Sequence, residues 1–159
     1  MDFILLLVIF YFCSFLGILV HEMGHVLMYI LFYRENNWNV ELGRKSLILA
    51  KFRKFTIYAN MTMGYTRVKY KKYSKYKSTM FFLGGPLASS ILVLLLLPYI
   101  SQFVGISFLE NSNFAKSLIY FFYLNLFILI VSVIPIKIGN YTSDGMNLLY
   151  IFKNKYNDN

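Results

Sequence analysis

The chain has 159 residues, of which 58% are hydrophobic, 19% aromatic and only 14% charged. A water-soluble domain carries about 25% charged residues, and the mean hydropathy here is +0.55. These values exclude a disordered chain and an ordinary soluble enzyme; a single cysteine, Cys13, excludes a disulfide scaffold. The length suits one compact unit over residues 1–159, with no separate soluble catalytic domain. A net charge of +9 takes its meaning from where the charges fall.

From Phe3 to Tyr33 the chain holds one charge, Glu22, and both of its histidines, His21 and His25. A helix crosses a bilayer in roughly 20 residues, so this stretch predicts a first span. It lacks the basic start and small-residue cleavage site of a signal peptide, and reads as a retained helix. Residues 34–79 follow as a polar segment with 12 of the 16 basic residues against Glu35 and Glu41. Lys and Arg concentrate in cytoplasmic loops, which places this segment inside and the N-terminus outside. Within it, Asn39–Leu42, Ser46–Ala50 and Phe55–Ala59 are rich in Val, Ile, Leu, Phe and Tyr. They predict a small antiparallel sheet against the membrane. The interleaved tyrosines and lysines of Tyr65–Lys77 suit stacking on single-stranded nucleic acid. Directly before an apolar helix they suit a membrane interface better, with anionic lipid headgroups as partners and no nucleic acid. A second span is expected over 80–100, a loop at Ser101–Ala115 outside, and a third span over 117–136. The tail from Lys137 then lies inside. The expected class is a mostly α membrane protein, with three transmembrane helices and a small membrane-associated β-sheet between the first two.

His21-Glu22-Met23-Gly24-His25 matches H-E-x-x-H. On a helix the two histidines share one face and reach one tetrahedral Zn²⁺, with the glutamate placed to take a proton from water. Two core histidines paired with a glutamate by structure alone are the bland alternative. A carboxylate and two imidazoles inside a span are costly, however, and such groups are functional candidates by default. Two histidines leave a catalytic zinc one protein ligand short. Leu31 occupies the position where a third histidine would continue the motif. Glu35 and Glu41 are available but sit among basic residues; Asp144, in Ser143-Asp144-Gly145 after the third span, suits better, its ordinary alternative being a helix cap. Residues 3 to 20 take up about 27 Å of helix, which brings the histidines toward the cytoplasmic face, where the third span also ends.

These residues resemble the site-2 protease family of intramembrane zinc metalloproteases, in its minimal three-helix form without PDZ or CBS domains. The resemblance implies one zinc per chain held by His21, His25 and Asp144, with Glu22 as catalytic base. It also matches a Gly-Pro motif at Gly84-Gly85-Pro86-Leu87 and implies substrate-binding roles for Gly85, Pro86 and Ser89. Ser89 stands where the family often has asparagine, and Ser132 departs from the family's later Asn-x-x-Pro pattern; Asn140, in a lengthened spacer before Asp144, is placed to compensate. The implied activity is hydrolysis of membrane-spanning or membrane-proximal peptides near the cytoplasmic face of a bacterial cell membrane. An edge strand between Ser46 and Ala59 is expected to hold the unwound substrate by strand addition. The alternative is a non-catalytic immunity or export accessory protein that retains the fold. Gly17 and Gly24 read as helix-packing positions, and Asn125 as a hydrogen-bond former between helices.

Overall fold

The structure is a computed structural model that describes residues 3–104, 113–139 and 141–153. Among these, three helices are long and apolar enough to cross a membrane: α1 (Phe3–Tyr33), α2 (Lys75–Val104) and α3 (Asn113–Val133). Two long strands, β1 (Trp38–Phe52) and β2 (Phe55–Val68), lie between α1 and α2. After α3 come a two-stranded hairpin, β3 (Lys137–Ile138) and β4 (Tyr141–Thr142), and a short helix, α4 (Asp144–Phe152). The fold is thus mostly helical with a small sheet where the Val- and Ile-rich runs predicted one.

The helix bounds differ from the apolar stretches for local reasons. Helix α2 begins at Lys75, inside the basic run, because helix geometry does not end where hydropathy does. Helix α3 ends at Val133, three residues short of the expected span; Ile134 still donates to Ile130 at 3.1 Å, and Pro135 has no N–H with which to continue. The expected loop at Ser101–Ala115 is occupied at its ends by α2 and α3, and its centre lies outside the described residues.

Helices α1 and α2 meet where neither has a side chain. A Cβ on Gly24 would run into the carbonyl of Gly84, and one on Gly84 into the carbonyl of Gly24. Backbones in this contact gain dispersion that larger residues would prevent. Helix α3 packs across both helices. Asn125, fully buried on α3, donates to the Phe121 carbonyl of its own helix at 2.7 Å. Its Oδ1 has no partner among the described residues and rests beside Gly17, so the expected bond between helices is replaced by close packing.

The first two predicted runs of strand form one element, β1. Gly43 joins them with φ +95°, a backbone conformation that glycine adopts without the strain a side chain would bring. The bend lets Val40, Glu41 and Leu42 pair on both sides, with Thr66, Tyr65 and Gly64 on one and Phe55, Thr56 and Ile57 on the other. Ile48–Phe52 pairs farther out with residues 55–58. Residues 64–68 therefore form the opposite edge of the sheet, and this edge faces the core of the helices. Val40 and Leu42 are buried with Ile18 and Val26 of α1, which anchors the sheet along that helix. A second apolar cluster, Tyr29, Tyr33, Phe81, Phe82 and Ile151, ties α1, α2 and α4 together at the other end.

Candidate metal centre

His21 and His25 are one helical turn apart on α1, both buried, with ring centroids 5.0 Å apart. Asp144 comes to them from the first turn of α4. His21 Nε2 lies 3.1 Å from Asp144 Oδ2, and His25 Nε2 lies 3.4 Å from Oδ1. One ligand atom from each residue falls within 4.8 Å of the others, a group able to hold a metal ion. The fit is chemical as well as spatial. Two imidazole nitrogens and a carboxylate oxygen turned to one point are donors of the kind that zinc and other divalent metals accept. Gly85 of α2 closes the wall behind them, and any Cβ there would collide with both Nε2 atoms.

Each histidine is held from behind. The Nδ1 of His25 is 2.8 Å from the Phe81 carbonyl, which only accepts, so this nitrogen carries the proton. The amide of Gly85 is 3.3 Å from the same Nδ1, a longer approach that a protonated nitrogen does not accept. For His21 the Nδ1 partner is Ser89 Oγ at 3.0 Å. In both rings Nε2 is the atom that faces Asp144.

Asp144 is delivered by a turn that its neighbours define. Ser143 Oγ donates to the Ile134 carbonyl at 2.6 Å and accepts from the amides of Ile136 and Met146, so Ser143 caps α4. Gly145 lies against the end of α3 so closely that a Cβ would strike the Val133 carbonyl. Burial by itself would raise the Asp144 carboxyl; the charge of His25 and the hydrogen bonds from both imidazoles outweigh it and hold the group at about 2.

Glu22 turns to the side of this group and is buried. Thr66 on the sheet edge donates to Glu22 Oε2 at 2.7 Å, and the bare Cα of Gly64 lies over the same carboxylate. A cavity of about 350 Å³ opens beside His21, Glu22, His25 and Asp144. Its walls include Thr62–Thr66 of β2, Phe127 and Val131 of α3, and Tyr141 just before α4. Tyr65 and Tyr141 meet across it edge to face at 6.2 Å. Burial, then the negative charge of Asp144, pushes the Tyr141 hydroxyl up, so it stays a proton donor.

His21, Glu22, His25, Gly85 and Asp144 are therefore brought together. The rival carboxylates are elsewhere: Glu35 accepts from Tyr29 and from the Lys71 amide, and Glu41 pairs with Arg67 at 3.1 Å. Ser89, Pro86 and the expected edge strand are placed as follows. Ser89 faces His21 from α2, with its hydroxyl on the imidazole rather than on the cavity surface, because it is one helical turn beyond Gly85. Pro86 is buried in α2 next to Gly85 and does not line the cavity. The strand beside Glu22 is residues 62–66, whereas Ile48–Phe52 pairs at the far edge of the sheet. Asn140 lies outside the described residues. Thr66 and Gly64 were not singled out from the sequence; a threonine and a glycine in a strand have no pattern that marks them as neighbours of a distant glutamate. Comparisons of the chain with protein-family models, curated proteins and solved structures return no match.

Proposed function

We propose that this protein is an intramembrane zinc metalloprotease of the site-2 protease type, acting on membrane-spanning or membrane-proximal peptides. The observation that carries the reading is the convergence of His21 and His25 of α1 with Asp144 of α4, far apart in sequence, beside the buried carboxylate of Glu22. A scaffold has no need of all four groups at one point, and ionisable side chains in an apolar helix are retained for function.

His21 and His25 through Nε2, and Asp144 through a carboxylate oxygen, would hold the zinc. Bound there, zinc supplies Lewis acidity toward a water molecule and toward the carbonyl of the scissile peptide. Glu22 takes the proton from the attacking water and passes it to the departing amine. Thr66 fixes the carboxylate for that exchange by occupying Oε2. The Tyr141 hydroxyl borders the same cavity as a neutral donor. An α-helical substrate hides its peptide bonds, so it must unwind locally before attack. Residues 64–66 pair with β1 on one side only among the described residues, and the other side borders the cavity. That edge offers the unwound segment a strand partner. A location in a bacterial cell membrane, with the active face toward the cytoplasm, agrees with the three apolar helices and the basic segment between the first two.

Glu22→Gln tests the reading. The variant is expected to retain one zinc per chain, measured by elemental analysis of purified protein. Its cleavage of a membrane-embedded reporter peptide should fall by at least about 100-fold, the contribution of a general base. A parent protein free of zinc after purification in zinc-containing buffer would overturn the metal centre. Undiminished cleavage by Glu22→Gln would overturn the catalytic role.

A further inference from the structure

Helix α2 presents a stripe of three residues at spacing four to the histidine face of α1. Phe81 offers its carbonyl to His25, Gly85 offers no side chain, and Ser89 offers its hydroxyl to His21. Spacing four on one helix thus answers spacing four on the other. The two imidazoles are nevertheless held differently. A backbone carbonyl holds His25, and no side-chain substitution at position 81 removes it. A side chain holds His21, and Ser89 is fully buried, so water does not replace its oxygen.

We propose that Ser89 is a positioning residue for the metal centre, orienting His21 through Nδ1 so that Nε2 faces the ligand point. The inference rests on the metal-centre reading and assigns Ser89 a task other than gripping substrate. A hydroxyl both donates and accepts. It therefore partners His21 Nδ1 when that nitrogen carries the proton, as metal ligation through Nε2 requires. It equally partners Nδ1 when the proton sits on Nε2 against Asp144. No other side chain on this face of α2 could do both: Phe81 contributes only an acceptor, and Gly85 has no side chain. Partners of this kind typically change metal affinity by about 10–100-fold.

The chain has only two histidines, so ¹⁵N-histidine labelling gives four ring-nitrogen signals in the full-length protein. Ser89→Ala is expected to weaken zinc binding about 10–100-fold in chelator competition. It should shift the His21 nitrogen signals and leave those of His25 in place. Ser89→Thr, which keeps the hydroxyl, should return both readouts toward the parent, and Ser90→Ala, on the neighbouring position, should change neither. Unchanged zinc affinity and unchanged His21 signals in Ser89→Ala would overturn the proposal. Equal displacement of both histidines would also overturn it, since that marks a general loss of packing between α1 and α2. A parent that binds no zinc defeats the metal reading instead, and the His21 signals of the metal-free protein still decide whether Ser89 holds the ring.

Discussion

Ser143 takes the cap of α4 and leaves Asp144 free to face the imidazoles, so two adjacent residues divide the roles that a helix-opening aspartate usually combines. The division has an energetic signature. The Asp144 carboxyl sits at about 2 against an ordinary 3.8. A depressed folded value means that the ionised group stabilises the fold, fully so above the ordinary value, and that the contribution disappears as pH falls from about 4 to about 2. For a mostly buried side chain this amounts to about 2 kcal/mol. Denaturant unfolding of the metal-free protein in detergent at pH 5 and pH 2 should show the loss, and Asp144→Asn should show a drop smaller by that amount. An equal drop in both proteins would mean that Asp144 is not the group responsible. The motif histidines and the aspartate were legible as residues because metal ligation restricts which types serve and helical geometry restricts their spacing. The partners behind them were not, since a hydroxyl at position 89 or 66 carries no signal until the helices and strand are placed.

The elements were legible to different degrees, and the difference follows from what forms each one. Long apolar runs must be helical to satisfy their own backbone in lipid, so α1, α2 and α3 stood out by length and lack of charge. The sheet was visible only as fragments. Gly43 separates two of those fragments and is the bend that lets one strand pair on both flanks. The short β3–β4 hairpin left no pattern at two residues per strand. Gly17 and Gly24 were legible as packing positions, whereas their partners, Asn125 and Gly84, show only in three dimensions. At the crossing of α1 and α2, Gly24→Ala would push a methyl group into backbone, which cannot rotate away as a side chain can. We expect destabilisation of about 1–3 kcal/mol or more, the usual cost of overpacking, read as a lower midpoint of thermal unfolding in detergent. Gly139→Ala provides the comparison: its Cβ would meet open space, and its φ of +58° confines the cost to local backbone strain. Equal effects at the two sites would argue against the close crossing.

At the scale of the whole molecule, three apolar helices, if each crosses a membrane, put the two ends of the chain on opposite sides, and the basic segment then gives the orientation. Ten cationic residues lie between α1 and α2, and a segment so charged is costly to translocate. The same segment carries the sheet edge beside Glu22, so orientation and the side from which the cavity is approached are one question. Labelling with a membrane-impermeant maleimide answers it, because the native Cys13 is buried and contributes little background. A cysteine replacing Lys72, in the turn before α2, should react only in inverted vesicles, and a tag on the N-terminus should be accessible only in right-side-out ones. Reaction of Lys72→Cys from the outer face would reverse the topology. The His21, His25 and Asp144 group would be unaffected, but under the proposed function its cavity would be approached from the opposite side, by peptides exposed outside the cell.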